Sequence, residues 1–423
     1  MKKIIVLFVL FLIYLNLSAE AKVFQITIDN PNYKPIGIGL WGFQSKDKSS
    51  ALILKSTIER DLRMSGFFYV DKTQHFSYDA PFSVVCGLSK IDNLDYAVYG
   101  NLIVENNDSI YANIKLVNSA NKTLMFNGSF YSNKESLKWL GHRVSDKIIE
   151  YITGVYGPFE SKIIFARGKG KIRDIYACDF NGENIERLTK WHTMNILPKW
   201  IDKYEISFLS YKYGKPSLFL FNIRTGKIRK LFSNSNLSIS AVKYKNNFAV
   251  PFSKNGDVDI YEVNRNGRII KNFTHNYGID VSPNFTSDYS KMVFVSNRTS
   301  SPQIYVKDLS SAFESSIRLT FNGKYNSSPA LSPNNRKIAY ISIEKGKTAL
   351  KIMNIDGSED KTVMTGYNLD SPSWSYDSRY VAIEAEMGGV RGIYIVNTLN
   401  NKYFLAMGGN GMYNGLSVSG RFR

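Results

Sequence analysis

The sequence predicts a multidomain chain: a small N-terminal α/β domain followed by an all-β six-bladed β-propeller closed by the C-terminal strand. The first observation is a strand motif that recurs six times beyond Glu160. It reads Asp174-Ile175-Tyr176, Ser217-Leu218-Phe219, Asp259-Ile260-Tyr261, Gln303-Ile304-Tyr305, Ala349-Leu350-Lys351 and Gly392-Ile393-Tyr394, at spacings of 43, 42, 44, 46 and 43 residues. A steady period in the low forties, made of short alternating strands and Gly/Asn/Asp turns, marks propeller blades; helical repeats of that length would show 3.6-residue periodicity. The second observation is that the chain before Glu160 lacks this repeat and alternates helical with strand patterns, as an α/β unit does. The third is an incomplete first repeat matched by a surplus strand at the C-terminal end.

Taken in order, the chain opens with Met1-Lys2-Lys3, an apolar run from Ile4 to Leu15, and Ala19-Glu20-Ala21. A basic start, a short apolar core and small residues at alternate positions read as a secretory signal peptide over 1–21, cleaved after Ala21 on the Ala19/Ala21 pattern. The rival reading is an uncleaved anchor, in which the Ala-x-Ala ending has no role. Residues 22–35 form an arm. Phe24, Ile26 and Ile28 alternate with Val23, Gln25 and Thr27 before Asn30-Pro31-Asn32 and Pro35 break the run. Such an arm is either an edge strand or a peptide free to add to a partner's sheet.

The α/β domain occupies 36–157. Ile36, Ile38 and Leu40 alternate with Gly37 and Gly39, a strand with close backbone approach. Ala51, Leu54, Ile58 and Leu62 follow helical spacing until Gly66, and Phe67 to Val70 reads as a strand. Strands are then expected over Tyr96 to Val104, Ile110 to Val117 and Thr123 to Tyr131, with Asn106-Asn107-Asp108 as a turn. Leu137, Leu140, Val144, Ile148 and Ile152 make a second helical stripe closed by Gly154. The expected unit is a strand–helix–strand start and a meander packed on two helices.

The propeller is expected over 158–423. Each repeat holds four runs, here A to D. A runs often follow a Pro, as in Pro198-Lys199-Trp200, Pro329-Ala330-Leu331 and Pro372-Ser373-Trp374; B runs are apolar, as in Tyr380-Val381-Ala382-Ile383; the recurring motif is C; D runs end near Leu188-Thr189, Phe273-Thr274 or Leu319-Thr320. The first run, Lys162 to Ala166, is a B run with no A run before it. The last, Asn414 to Val418, is an A run with no B run after it. The C-terminal strand is therefore expected to complete the first blade, which removes two exposed edges.

Composition bounds the function. The formal net charge is +18, but Lys and Arg are scattered through turns in every repeat rather than clustered. Diffuse positive charge raises solubility and nonspecific attraction to anionic surfaces; together with export it argues against a nucleic-acid partner. Cys86 and Cys178 fall in different domains and are expected to be buried free thiols. The four histidines, His75, His142, His192 and His275, form no metal-binding pattern. His142, beside Arg143 on the second helix, is expected at the surface or at the domain joint. Gly415-Leu416-Ser417-Val418-Ser419 lacks the second glycine of a hydrolase elbow, and Gly168-Lys169-Gly170-Lys171 reads as a hairpin turn rather than a phosphate loop. The reading is of a non-enzyme with no catalytic residue, metal or cofactor.

Several segments resemble the TolB family, periplasmic propeller proteins of the bacterial Tol–Pal system. They are Lys34-Pro35-Ile36-Gly37-Ile38, Asp61-Leu62-Arg63-Met64-Ser65-Gly66-Phe67-Phe68, Asp95-Tyr96-Ala97-Val98-Tyr99-Gly100 and Gly141-His142-Arg143-Val144-Ser145-Asp146. The blades depart from the family's Trp-Ser-Pro-Asp-Gly signature, which survives in pieces as Leu331-Ser332-Pro333-Asn334-Asn335 and Trp374-Ser375-Tyr376-Asp377-Ser378. The resemblance implies a periplasmic binding protein, a monomer on its own and peripheral to the outer membrane. It would hold the lipoprotein Pal on a propeller face and TolA through the arm residues Phe24, Ile26 and Ile28, supporting outer-membrane integrity and constriction at cell division. The loops from D to the next A run should end beside the central channel. They carry Asn195, Asn236, Asp280, Asn326 and Asp370, the candidate Pal face; the plainer reading is that Asn and Asp there shape turns. Alternatives are a propeller that binds peptidoglycan or polysaccharide through Tyr and Trp, or a propeller hydrolase with dispersed catalytic residues.

Overall fold

The computed structural model describes residues 34–71, 82–105, 108–233, 240–254, 256–311, 315–344, 346–409 and 411–422. Ala19, Ala21, Phe24, Ile26, Ile28, His75, Asn106, Asn107 and Asn236 lie outside the described residues.

The first domain runs β1 (Ile36–Gln44), α1 (Lys48–Ser65), β2 (Phe68–Asp71), α2 (Phe82–Ile91), β3 (Tyr96–Val104), β4 (Ser109–Asn118), β5 (Thr123–Asn133) and α3 (Leu137–Thr153). Its five-stranded sheet has the order β2-β1-β3-β4-β5, with β1 parallel to β2 and β3 and the rest antiparallel. The start of α1 is fixed by Asp47, whose carboxylate accepts from the Ser50 backbone N–H at 3.0 Å. Its end is fixed by Gly66 in the left-handed region at φ 73°, and Gly154 at φ 76° ends α3 in the same way. Helices α1 and α3 bury Leu54, Ile58, Leu62, Leu140, Val144 and Ile148 against Ile110, Ala112, Ile114 and Leu116 of β4. The expected pair of helices is a correction: a third, α2, places Val85 and Cys86 in a separate cluster with Trp41, Ala97 and Tyr99. Gly87 and the adjacent Val84-Val85 lower helix propensity there, and burial overrides it.

The second part is all β. The strands β6 (Lys162–Lys169), β7 (Ile172–Asp179) and β8 (Glu186–Arg187) begin it. Four-stranded sheets follow from β9 (Asn195–Trp200), β10 (Glu205–Ser210), β11 (Ser217–Asn222) and β12 (Ile228–Ser233); from β13 (Val242–Tyr244), β14 (Asn247–Lys254), β15 (Asp257–Val263) and β16 (Ile269–Asn272); and from β17 (Asp280–Phe285), β18 (Lys291–Ser296), β19 (Gln303–Asp308) and β20 (Ser316–Arg318). A seven-stranded sheet then holds β21 (Tyr325–Leu331), β22 (Lys337–Glu344), β23 (Lys347–Asn354), β24 (Lys361–Trp374), β25 (Tyr380–Met387), β26 (Val390–Asn397) and β27 (Tyr403–Gly408). Its middle strand β24 pairs with β23 over Lys361 to Gly366 and with β25 over Tyr367 to Trp374.

The final strand, β28 (Met412–Val418), returns to the start. It pairs antiparallel with β6, from Met412 opposite Gly168 to Val418 opposite Ile163, giving the sheet order β28-β6-β7-β8. The strand is held from both sides. Trp200 donates its indole N–H to the Ser417 carbonyl at 3.1 Å, and the Val418 N–H reaches Ser373 Oγ at 3.0 Å.

The recurring motif now has a physical account. In three sheets the D-run threonine receives the backbone N–H of the C-run isoleucine: Ile175 to Thr189, Ile260 to Thr274 and Ile304 to Thr320, each at 3.0 Å. The same hydroxyls donate to the motif's first residue, Asp174 at 2.8 Å, Asp259 at 3.0 Å and Gln303 at 2.7 Å. Each clasp satisfies polar groups that burial would otherwise penalise. Both cysteines are buried and free.

Candidate functional site

Two polar constellations stand out. One sits where the two domains meet, the other in a cavity lined by residues of three of the sheets.

At the joint the apolar core is continuous. Phe67 and Ile148 of the first domain share a cluster with Phe159, Ile163, Phe180, Tyr380 and Leu416. Full burial of one such aromatic contributes about 1.5–3 kcal/mol. Inside this contact lies His142, fully buried rather than on the surface, so the joint half of the expectation holds. Its Nδ1 is 2.7 Å from Asp61 on α1, and its Nε2 is 3.4 Å from Asp179 at the end of β7. Burial works against a charged imidazole, but the Asp61 and Asp179 carboxylates overcome it and hold the pKa at about 10. Burial also opposes ionisation of Asp179, yet His142 and Lys162 draw it down to about 2. Asn181 donates to Asp61 at 2.9 Å, and Lys162 reaches Asp179 at 2.8 Å. The Tyr380 hydroxyl and Asn397 amide both donate to the Ser65 carbonyl at 2.8 Å. Arg379 donates to Thr153 Oγ1 at 3.0 Å and to the Tyr156 carbonyl at 3.1 Å. The Tyr376 hydroxyl donates to the Gly157 carbonyl. Segments 61–68 and 141–146, which carry much of the family resemblance, supply a large part of this joint.

The structure separates the four candidate Pal-face residues that it describes. Asn195 is buried; its amide donates to the Arg173 carbonyl at 2.9 Å and its oxygen accepts from Ser210 at 2.7 Å. Asn326 is buried, with its amide on Gln303 Oε1 and the Asn322 carbonyl, both at 2.8 Å. Asp280 is buried against Arg298 at 3.0 Å, and that burial raises its pKa despite Ser296 and Arg298. These three side chains tie one sheet to the next rather than facing outward. Asp370 alone among the four described is exposed; it accepts from Ser328 Oγ at 2.7 Å.

Asp370 lines a cavity of about 570 Å³. Its lining includes the apolar Ile279, Val281, Ile341, Ile343 and Leu369 and the polar Glu384, Arg391, Tyr413 and Asn414. Glu384 projects from β25, a strand with a second glutamate at Glu386, and the Gly415 N–H donates to it at 2.6 Å. Burial first, and then the charge of Asp370, push its pKa up to about 8. Lys199 on β9 is pushed down by burial and pulled back by Asp370 and Glu384. Among the described residues, neither the Tyr413 hydroxyl nor the Asn414 side-chain oxygen has a hydrogen-bond partner. Unpaired polar groups lining a cavity of mixed apolar and polar character suit recognition of a ligand. Sequence reasoning missed Glu384, although a carboxylate following Tyr380 to Ile383 was a visible signal. Among the described residues, no three His, Cys, Asp or Glu side chains are grouped to hold a metal ion. No helix there is long and apolar enough to cross a membrane.

The sequence matches the family described as "TolB beta propeller domain" over residues 149–409. A protein named "Protein TolB homolog" from Chlorobium chlorochromatii is 33% identical over 176 residues, 41% of this chain and 40% of that protein. The match thus spans less than half the length of that relative. A "Tol-Pal system protein TolB" from Bordetella pertussis is 24% identical over 375 residues, covering 78% of this chain and 85% of that one. The crystal structure of TolB from Acinetobacter baumannii superposes with a TM-score of 0.82 at 22% identity, covering 92% of this chain and 97% of that chain.

Proposed function

Because the chain belongs to the TolB β-propeller family, we propose that it is a non-enzymatic, periplasmic protein-interaction component of a Tol–Pal system. In this reading the seven-stranded sheet counts as two blades that share β24, which makes six blades with the sheet closed by β28. Pal docks at the cavity around Asp370, and TolA takes the arm at Phe24, Ile26 and Ile28. The two contacts together support outer-membrane integrity and constriction at division.

The observation that supports a ligand at the cavity is the pair of unpartnered polar atoms, on Tyr413 and Asn414, beside exposed Asp370. A buried donor or acceptor without a partner costs about 1–3 kcal/mol, which a bound protein's polar groups would recover. Calorimetry of Pal against Asp370→Ala and Asn414→Ala proteins tests this. Affinity should fall at least tenfold with melting unchanged. Full affinity in both would place Pal elsewhere, and retention on insoluble peptidoglycan without Pal would favour a glycan binder. Deleting residues 22–32 should abolish TolA binding and leave Pal binding intact.

A further inference from the structure

The five-stranded sheet leaves β5 as an outer strand. Its sequence, Thr123 to Asn133, contains no charged residue and no proline. Long outer strands usually carry such residues to discourage pairing with another chain. Arg143 of α3 donates to the Tyr131 carbonyl at 3.3 Å, so the backbone at Tyr131 faces away from β4. By the two-residue alternation of a strand, Ser129 and Asn127 present their N–H and C=O groups on that same side. Among the described residues, the N–H groups of Asn127 and Ser129 on that side meet no backbone acceptor.

Helix α3 packs alongside this edge. Arg143 lies over the Phe130 ring, at 5.8 Å. Phe126 packs on Phe130 at 5.9 Å and on Tyr151 at 4.9 Å, and Lys147 lies over Tyr151 at 5.6 Å. Arg143 and Lys147 keep about two fifths of their side-chain surface exposed, at 41% and 37%. They are partly engaged, Arg143 with Glu160 at 3.7 Å and Lys147 with Glu150 at 2.6 Å. Lys122 and Lys134 flank the two ends of β5, and Lys134 is paired with Asp108 at 3.3 Å and Asp47 at 3.6 Å.

The spacing of the two α3 cations matches a strand. Four residues of helix rise about 6 Å, and alternate residues of an added strand are about 6.6 Å apart. We propose that the β5 edge beside α3 is a second interaction site, one that takes an extended peptide segment of another protein by strand addition, with acidic side chains two residues apart facing Arg143 and Lys147. Backbone pairing to Asn127, Ser129 and Tyr131 supplies affinity, and the cations supply selectivity. A second copy of this chain is a poor occupant. Two β5 strands pairing antiparallel would set both α3 helices on one sheet face, bringing Arg143 and Lys147 of each copy together.

The probe is a fluorescent peptide, Thr-Val-Glu-Val-Glu-Val-Thr, titrated with the full chain at low salt and read by anisotropy. It should bind, and the same peptide with Lys for Glu should bind at least tenfold more weakly. Ser129→Pro removes an outward donor and the exposed Ser129 Oγ bond to Asn113, leaves the backbone bonds to β4, and should abolish binding with little change in melting. Lys147→Glu should weaken the Glu peptide tenfold and strengthen the Lys peptide. Equal binding of both peptides, undiminished binding to Ser129→Pro, no binding at all, or a dimer through β5 in sedimentation would each overturn the proposal.

Discussion

Replacing Asp61 with Asn should uncouple the domain joint in a way that depends on pH. The substitution keeps the shape of the side chain and its contact with Asn181, but removes the charge 2.7 Å from His142. The folded imidazole titrates at about 10, against an ordinary 6.5. Every tenfold change in an acid constant between the unfolded and folded chain is worth about 1.4 kcal/mol, so the two carboxylates, net of the cost of burying the imidazole, contribute about 5 kcal/mol. Asp61 is the closer of the two, so its share is about 3 kcal/mol, the low end of the range of about 3–5 kcal/mol typical for breaking a buried pair. Because the folded pKa is raised, this stability is fully present below pH 6.5 and is lost as pH climbs to about 10. Guanidinium unfolding at pH 6 and pH 9.5 measures it. Trp139 fluorescence is a local reporter, its ring 5.8 Å from His142. The variant should be weaker by about 3 kcal/mol at pH 6 and by much less at pH 9.5. A loss below about 1 kcal/mol at pH 6, or an equal loss at both values, would refute a charged His142 at the joint.

Other expectations follow from the same contacts. Glu384→Gln should flatten the pH dependence of melting: a carboxyl raised to about 8 in the fold costs stability as pH rises from about 4.5 to 8, so the variant gains most on the wild type near pH 8. Asn326→Ala should lower unfolding free energy by about 1–3 kcal/mol in urea titrations, because Gln303 and the Asn322 carbonyl lose a buried donor. Gly415→Ala should destabilise the closing strand: at φ +92° a Cβ would come within 2.7 Å of Leu197 Cα, and differential scanning calorimetry should show an earlier transition. Truncation before Met412 should lower melting far more than loss of frayed terminal residues would.

How much of this was legible depended on the range of the interaction that fixed each element. Local signals read well: Gly66 and Gly154 ended the helices where the sequence placed them, and the surplus strand at 414–418 found its partner in β6. The α2 helix was not legible, because its evidence is burial against Trp41 and Tyr99 rather than its own propensity. The buried state of His142 depends on Asp61 and Asp179, each far away in sequence, so only the joint and not the burial could be inferred. Asn195, Asp280 and Asn326 were expected in loops just before their strands and instead lie within the first two residues of β9, β17 and β21, and an Asn or Asp there carries no mark of which way its side chain turns. Glu384 had the opposite character: its pattern was anomalous, but only the fold reveals the cavity beneath it.

The pairing of β28 with β6 sets an order on how the molecule assembles. The Lys162 N–H meets Ser419 Oγ across 257 residues of chain, so the first sheet holds an open edge until the last strand arrives. Loop-closure entropy makes such a contact late, and chains dominated by distant pairings fold slowly. Until that contact forms, β6 is a bare strand edge, the kind of surface that chaperones shield and that neighbouring chains exploit. The seal that makes the finished ring durable is therefore also its longest period of vulnerability, and a partner added before sealing would meet a different protein from the one that exists afterwards.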